Sequence, residues 1–246
     1  MEPSAGNMIY IYSVLIVFSW IMTVLLFKRW KERQKLPTKL MFFVFMAYSI
    51  AITGLVIGYL EMYFTGFKME IYKFSLGFGY CMMLVSNMLL VYFAAVVFSI
   101  EKKYYFKYLI ISGIIAVLVL LPQNYYGVPS EEIGSDNIRA YTAVGMVVWS
   151  MFTYARIARA AYNVAKNTED PIAKEGFKWI GHSQMSFIFF FAFMMTDTIY
   201  FTITDSPGYT VFVYISWLFA ALFYLFSYFG LIMPAFLRKR YESGNK

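Results

Sequence analysis

Histidine and cysteine are almost missing from this chain: His182 and Cys81 are the single examples in 246 residues. One of each cannot assemble the usual zinc site or a bis-histidine haem site, and a lone cysteine makes no internal disulfide. Its position inside an apolar run makes Cys81 a small packing residue. Charge is equally scarce, at 14% of residues, far below what the solvated surface of a soluble domain carries. No glycine-rich phosphate loop occurs. A Ser-His-acid triad would have to join His182 to Asp197, which stand about 22 Å apart along one helix. These absences point away from an enzyme, and they leave no expected cofactor and no metal.

Apolar residues fill the space left by the charges. The chain is 61% hydrophobic, with 26 Phe, 22 Tyr and 16 Met. The apolar residues gather into seven runs, at 8–27, 40–60, 72–100, 108–122, 139–160, 179–203 and 210–236. A membrane-crossing helix needs about 20 residues, and none of the runs alternates as a barrel strand would. The expected fold is therefore all-α: one polytopic domain over 1–246, a seven-transmembrane-helix bundle. Pro122 ends the short fourth run. No extramembrane domain is expected, because the longest connections, QNYYGVPSEEIGSDN and NVAKNTEDPIAKEGFK, are each about 15 residues long.

Loop charge orients the bundle. Segments 28–39, 101–107, 156–178 and 238–246 hold 18 of the 21 Lys and Arg residues against six acids. The opposite ends hold Lys68, Lys73 and Arg139 against seven acids. This asymmetry predicts a multi-pass cell-membrane protein with its N-terminus outside and its C-terminus in the cytoplasm. The net charge of +7 is then a topology signal and not a nucleic-acid footprint, and the basic inner face should attract anionic lipid headgroups. The acidic start MEPSAGNMIY lacks the basic region of a cleaved signal peptide, so the first helix is expected to stay as signal and anchor.

Polar residues inside the runs are the candidate site. Asp197, in FIFFFAFMMTDTIYFTI, sits about 9 Å inside the outer end of the sixth helix, and a carboxylate there should face protein or water. Thr196, Thr198 and Tyr200 are its near neighbours in sequence. Its three readings are a hydrogen-bonded tie to the third or seventh helix, a contact for a ligand or ion, and proton transfer. Asn87 is near the midpoint of the third helix, where Tyr80, Leu84, Asn87 and Val91 share one face and should point inward. Glu61, at the outer end of the second helix, is either solvated or part of the same vestibule. Gly54 and Gly58 form a small-xxx-small stripe for close helix packing. The outer loop 123–137, with Tyr125, Tyr126, Gly127 and Pro129, is an interfacial turn or a lid. On the inner face, Asp170-Pro171 marks a helix start, His182 lies near the interface, and Arg156 and Arg159 should reach toward headgroups or the acids of the next loop.

Three family patterns fail on these residues. The last helix, TVFVYISWLFAALFYLFSYFGLIMPAF, has no lysine to hold a retinal. SIEKKYY stands where G-protein-coupled receptors carry an acidic-Arg-aromatic triplet. Leu121-Pro122-Gln123 is a fragment of the small sugar-carrier signature without its internal repeat or helix-breaking prolines. By contrast, KRWKERQKLPTK, NTEDPIAKEGFKWIG and MPAFLRKRYESGNK resemble the loop pattern of the seven-helix N-terminal input modules of prokaryotic sensor histidine kinases. That resemblance implies a sensory bundle, and since those modules continue into a coiled coil and kinase beyond the position of Lys246, it implies output through a separate protein.

The expected function is receptor-like. A small molecule or lipid would bind an outward-facing pocket near Asp197, Tyr200, Asn87, Tyr80 and Glu61 and signal to a cytoplasmic or membrane partner. A small-solute or ion carrier using Asp197, and a non-catalytic subunit or assembly factor of a membrane complex, are the alternatives.

Overall fold

A computed structural model of the chain describes residues 3–66, 70–98, 102–121, 124, 139–204 and 210–243. Seven long helices and one short one make up these residues: α1 Pro3–Arg33, α2 Leu36–Thr65, α3 Glu70–Val97, α4 Lys102–Leu120, α5 Arg139–Asn167, α6 Pro171–Thr204, α7 Val211–Leu231 and α8 Ala235–Ser243. Each apolar run falls within or close to one long helix, and the protein is an all-α, multi-pass membrane protein. Five of the described helices, α1 to α4 and α7, are long and apolar enough to cross a bilayer by length and composition. The helices α5 and α6 have the length, at 29 and 34 residues.

Local chemistry sets the helix ends. Lys35 is extended and Pro37 occupies the first turn of α2, where a missing N–H costs nothing. Gly66 closes α2 in the left-handed conformation, its N–H returning to the Met62 carbonyl. Asp170 Oδ1 accepts from Ile172 N at 3.0 Å, so the Asp170-Pro171 helix start is observed as expected. The expected seventh run is shortened. Helix α7 ends at Leu231, Met233 takes φ 45° and Pro234 leads into α8. A proline cannot continue the hydrogen-bond ladder, so the basic exit becomes a separate helix. Most of the proposed lid, 125–137, lies outside the described residues, as does the loop at Asp205.

The chain forms two compact units, Met1–Ser150 and Met151–Lys246, and α5 contributes residues to each. In the first unit α1 and α2 are joined by hydroxyls. Thr23 and Ser49 bond at 2.8 Å, and the Trp20 indole donates to Thr53 at 3.1 Å. The pairing of α2 with α3 depends on the small residues noted in the sequence. A Cβ on Gly58 would stand 2.0 Å from Ser75 Oγ and 3.1 Å from the Tyr72 Cα, so only glycine permits the approach. Cys81 packs with Tyr80 around Leu84, Ala116 and Met146, which is the packing role expected of it.

In the second unit α6 and α7 are antiparallel and meet largely through rings. Phe187 and Phe223 have centroids 4.0 Å apart, and Phe190 meets Trp217 edge-on at 5.0 Å. At one end the seam tightens until backbones touch: a Cβ on Gly230 would be 2.9 Å from the Gly176 carbonyl oxygen. Tyr154 of α5 is fully buried against Phe187 and Phe191.

Candidate functional site

Helix α6 extends past the start of α7 by nearly two turns, which brings the first residue of α7's cap level with Asp197. Thr210 is that cap. Its side chain accepts from Phe212 N at 3.2 Å, while its own N–H donates to Asp197 Oδ1 at 3.1 Å and its hydroxyl donates to the same oxygen. Asp197 thus caps the neighbouring helix from outside. The acid stands where the partial positive charge of an open helix end is greatest, an arrangement that stabilises a carboxylate by about 0.3–2 kcal/mol. This offsets part of the cost of an aspartate at bilayer depth, which is about 3 kcal/mol at a helix centre and less toward the helix end. The expected tie to the seventh helix is therefore observed. The Thr196 and Thr198 hydroxyls donate back to the carbonyls of Ala192 and Met194 on their own helix.

Both described bonds to Asp197 use Oδ1, and no described cation forms an ion pair with it. The residue is partly exposed, and Tyr200, one turn on, is 46% exposed with its ring edge-on to Phe212 at 5.9 Å. A half-committed carboxylate beside an accessible phenol can receive an ammonium or a hydroxyl from a bound molecule.

The other residues expected at the outward-facing pocket belong to the first unit. Asn87 is fully buried, and both ends of its amide are engaged: Oδ1 accepts from the Tyr48 hydroxyl at 3.3 Å, and Nδ2 donates to Ser150 Oγ at 3.0 Å. Its inward face, shared with Leu84, is as the helical spacing required. Tyr80 is half-buried against the Leu84 cluster. Glu61 Oε2 accepts from Tyr72 N at 2.8 Å, in the first turn of α3. It repeats on that hairpin what Asp197 does on the other.

At the opposite end of α6, four helices meet in an aromatic node. His182 Nδ1 and the Tyr162 hydroxyl of α5 share a hydrogen bond at 2.9 Å. Burial pushes the Tyr162 phenol above its usual pKa. His182 is edge-on to Trp179 and to Phe226 of α7, and the Trp179 indole donates to the Tyr241 hydroxyl of α8 at 3.3 Å. Of the two arginines, Arg156 has its guanidinium over the Phe152 ring at 5.6 Å, and Arg159 is exposed. Sequence reasoning missed Thr210, Tyr162 and Tyr241. A threonine directly before an apolar run is a cap signal and could have revealed the first; aromatic pairing between distant helices leaves no local trace.

No group of three or more His, Cys, Asp or Glu side chains able to hold a metal occurs among the described residues. Protein-family models, curated proteins and solved structures yield no match to this chain.

Proposed function

We propose that this protein is a receptor-like membrane protein, with its N-terminus outside and its C-terminus in the cytoplasm. A small molecule or lipid binds at the Asp197 end of α6, and the signal passes to a separate partner from the basic end. One observation carries the reading. A single unbroken helix holds a half-committed carboxylate near one end and the node of Tyr162, His182, Trp179 and Tyr241 near the other. A ligand donor that competes with Thr210 for Asp197 would loosen the cap of α7. Because α6 is continuous, its shift would be felt where it bonds α5 and α8, so two packings of these helices are the natural switch. The loop likeness to sensor kinase input modules agrees with this direction of signalling, and the basic face offers a partner its docking charge.

Native mass spectrometry of the protein in nanodiscs, wild type against Asp197→Asn, tests the reading. A retained small molecule lost in the variant is the expected result. Gradient-driven uptake into proteoliposomes that requires Asp197 would instead make the protein a carrier. A protein that co-purifies with an unchanged small-molecule content would make it a subunit of a complex.

A further inference from the structure

The tight α1–α2 turn gathers six cationic residues between 28 and 39 against one acid, Glu32. Four rings pack inside this corner. Trp30 is stacked on Phe42 at 5.6 Å, and Phe27 and Phe43 close around them at 5.3 and 4.9 Å from Phe42. Two ammonium groups contact the same indole: Lys31 Nζ and Lys39 Nζ, one from each helix, each lie 5.5 Å from the Trp30 ring centroid. The indole holds each lysine, but two like charges brought to one ring repel unless an anion joins them. Lys28, one turn before Lys31, is exposed as well.

The surface leading to this corner identifies the anion's source. Val14, Val17, Ile21 and Val24 are all exposed on α1. With Lys28 and Lys31 they continue one line at three- and four-residue spacing, so they share a face of the helix. An acyl chain lying along that apolar line would bring its headgroup phosphate to the lysines. A soluble phosphate would make no use of the line.

We propose that the α1–α2 corner is a binding site for one anionic phospholipid, with the headgroup phosphate held between Lys31 and Lys39 and an acyl chain along Val17, Ile21 and Val24. The site rests on the chain crossing a bilayer and not on the receptor reading. Aromatic residues fix the lysines in place, which distinguishes this corner from general attraction to a basic surface.

The test is lipid retention by native mass spectrometry, with the full chain in nanodiscs of equal phosphatidylglycerol and phosphatidylcholine. Wild type should retain one phosphatidylglycerol. In Lys31→Gln/Lys39→Gln, retention should fall about twenty-five-fold, near five-fold for each lysine removed at the membrane surface. A control pair of equal charge, Lys107→Gln/Lys174→Gln, should change it less than two-fold. Equal losses in the two pairs, or none in the first, would overturn the site. So would displacement of the lipid by millimolar glycerol phosphate, which would reduce it to a simple anion site. Ile21→Ser, which leaves every charge in place, should weaken retention, and full retention there would remove the acyl chain from the account.

Discussion

The α2–α3 and α6–α7 hairpins solve one problem alike and another in opposite ways. Each places an acid near the end of its first helix and gives it the open N–H groups of the second: Glu61 to Tyr72, Asp197 to Thr210. Their seams differ. The α2–α3 seam is made by absent atoms, with Gly58 admitting Ser75, whereas the α6–α7 seam is made by present ones, with Phe187 against Phe223. Added volume should therefore break the first hairpin and removed volume the second. An acid in a membrane helix is likewise not in itself a functional mark, because the next helix can supply its partner. Asp197 differs from Glu61 in taking both the N–H and the hydroxyl of its partner, Thr210, and in having the exposed Tyr200 one turn onward.

That contrast can be broken in order of effect. Phe187→Ala should cost the second unit about 4 kcal/mol, read as unfolding in mixed micelles. The matching truncation at Ser75, Ser75→Ala, should cost the first under about 1 kcal/mol. Gly58→Val should cost about 3 kcal/mol by forcing α2 from α3, and a wild-type midpoint would mean that this seam does not depend on close approach. Asp197→Ala, which leaves the Thr210 N–H and hydroxyl without their acceptor, should cost about 2 kcal/mol. Glu61→Gln keeps an acceptor oxygen for Tyr72 and loses only the charge, so a loss of about 0.5–1 kcal/mol is expected. Were the last two equal, the distinction between removing a cap and neutralising one would fail. Tyr162→Phe should leave the midpoint within about 0.5 kcal/mol while raising the exchange of amides near His182.

Much of this architecture was legible because bilayer depth imposes itself on composition. Long apolar runs gave the helices, Gly54 and Gly58 marked a close seam, and the spacing of Leu84 and Asn87 gave the buried face of α3. The illegible parts depend on which helix meets which. Asn87 reads as a candidate contact in the sequence, yet Tyr48 and Ser150, 39 and 63 residues away, already use its amide. In the sequence the apolar run 210–236 reads as one helix leading into the basic segment 238–246. The positive φ of Met233, ahead of Pro234, breaks that run, and the separate helix α8 that follows meets Trp179 through Tyr241.

The central claim is that α6 joins its two ends. Hydrogen–deuterium exchange in nanodiscs tests it without any ligand, by comparing wild type with Asp197→Asn. Faster exchange is expected in the variant both around Thr210 and in segments 171–182 and 235–243, the first of which lies about 22 Å or more from the substitution along α6. A change confined to the residues around Asp197 and Thr210 would contradict it, and would leave the carboxylate as a helix cap alone.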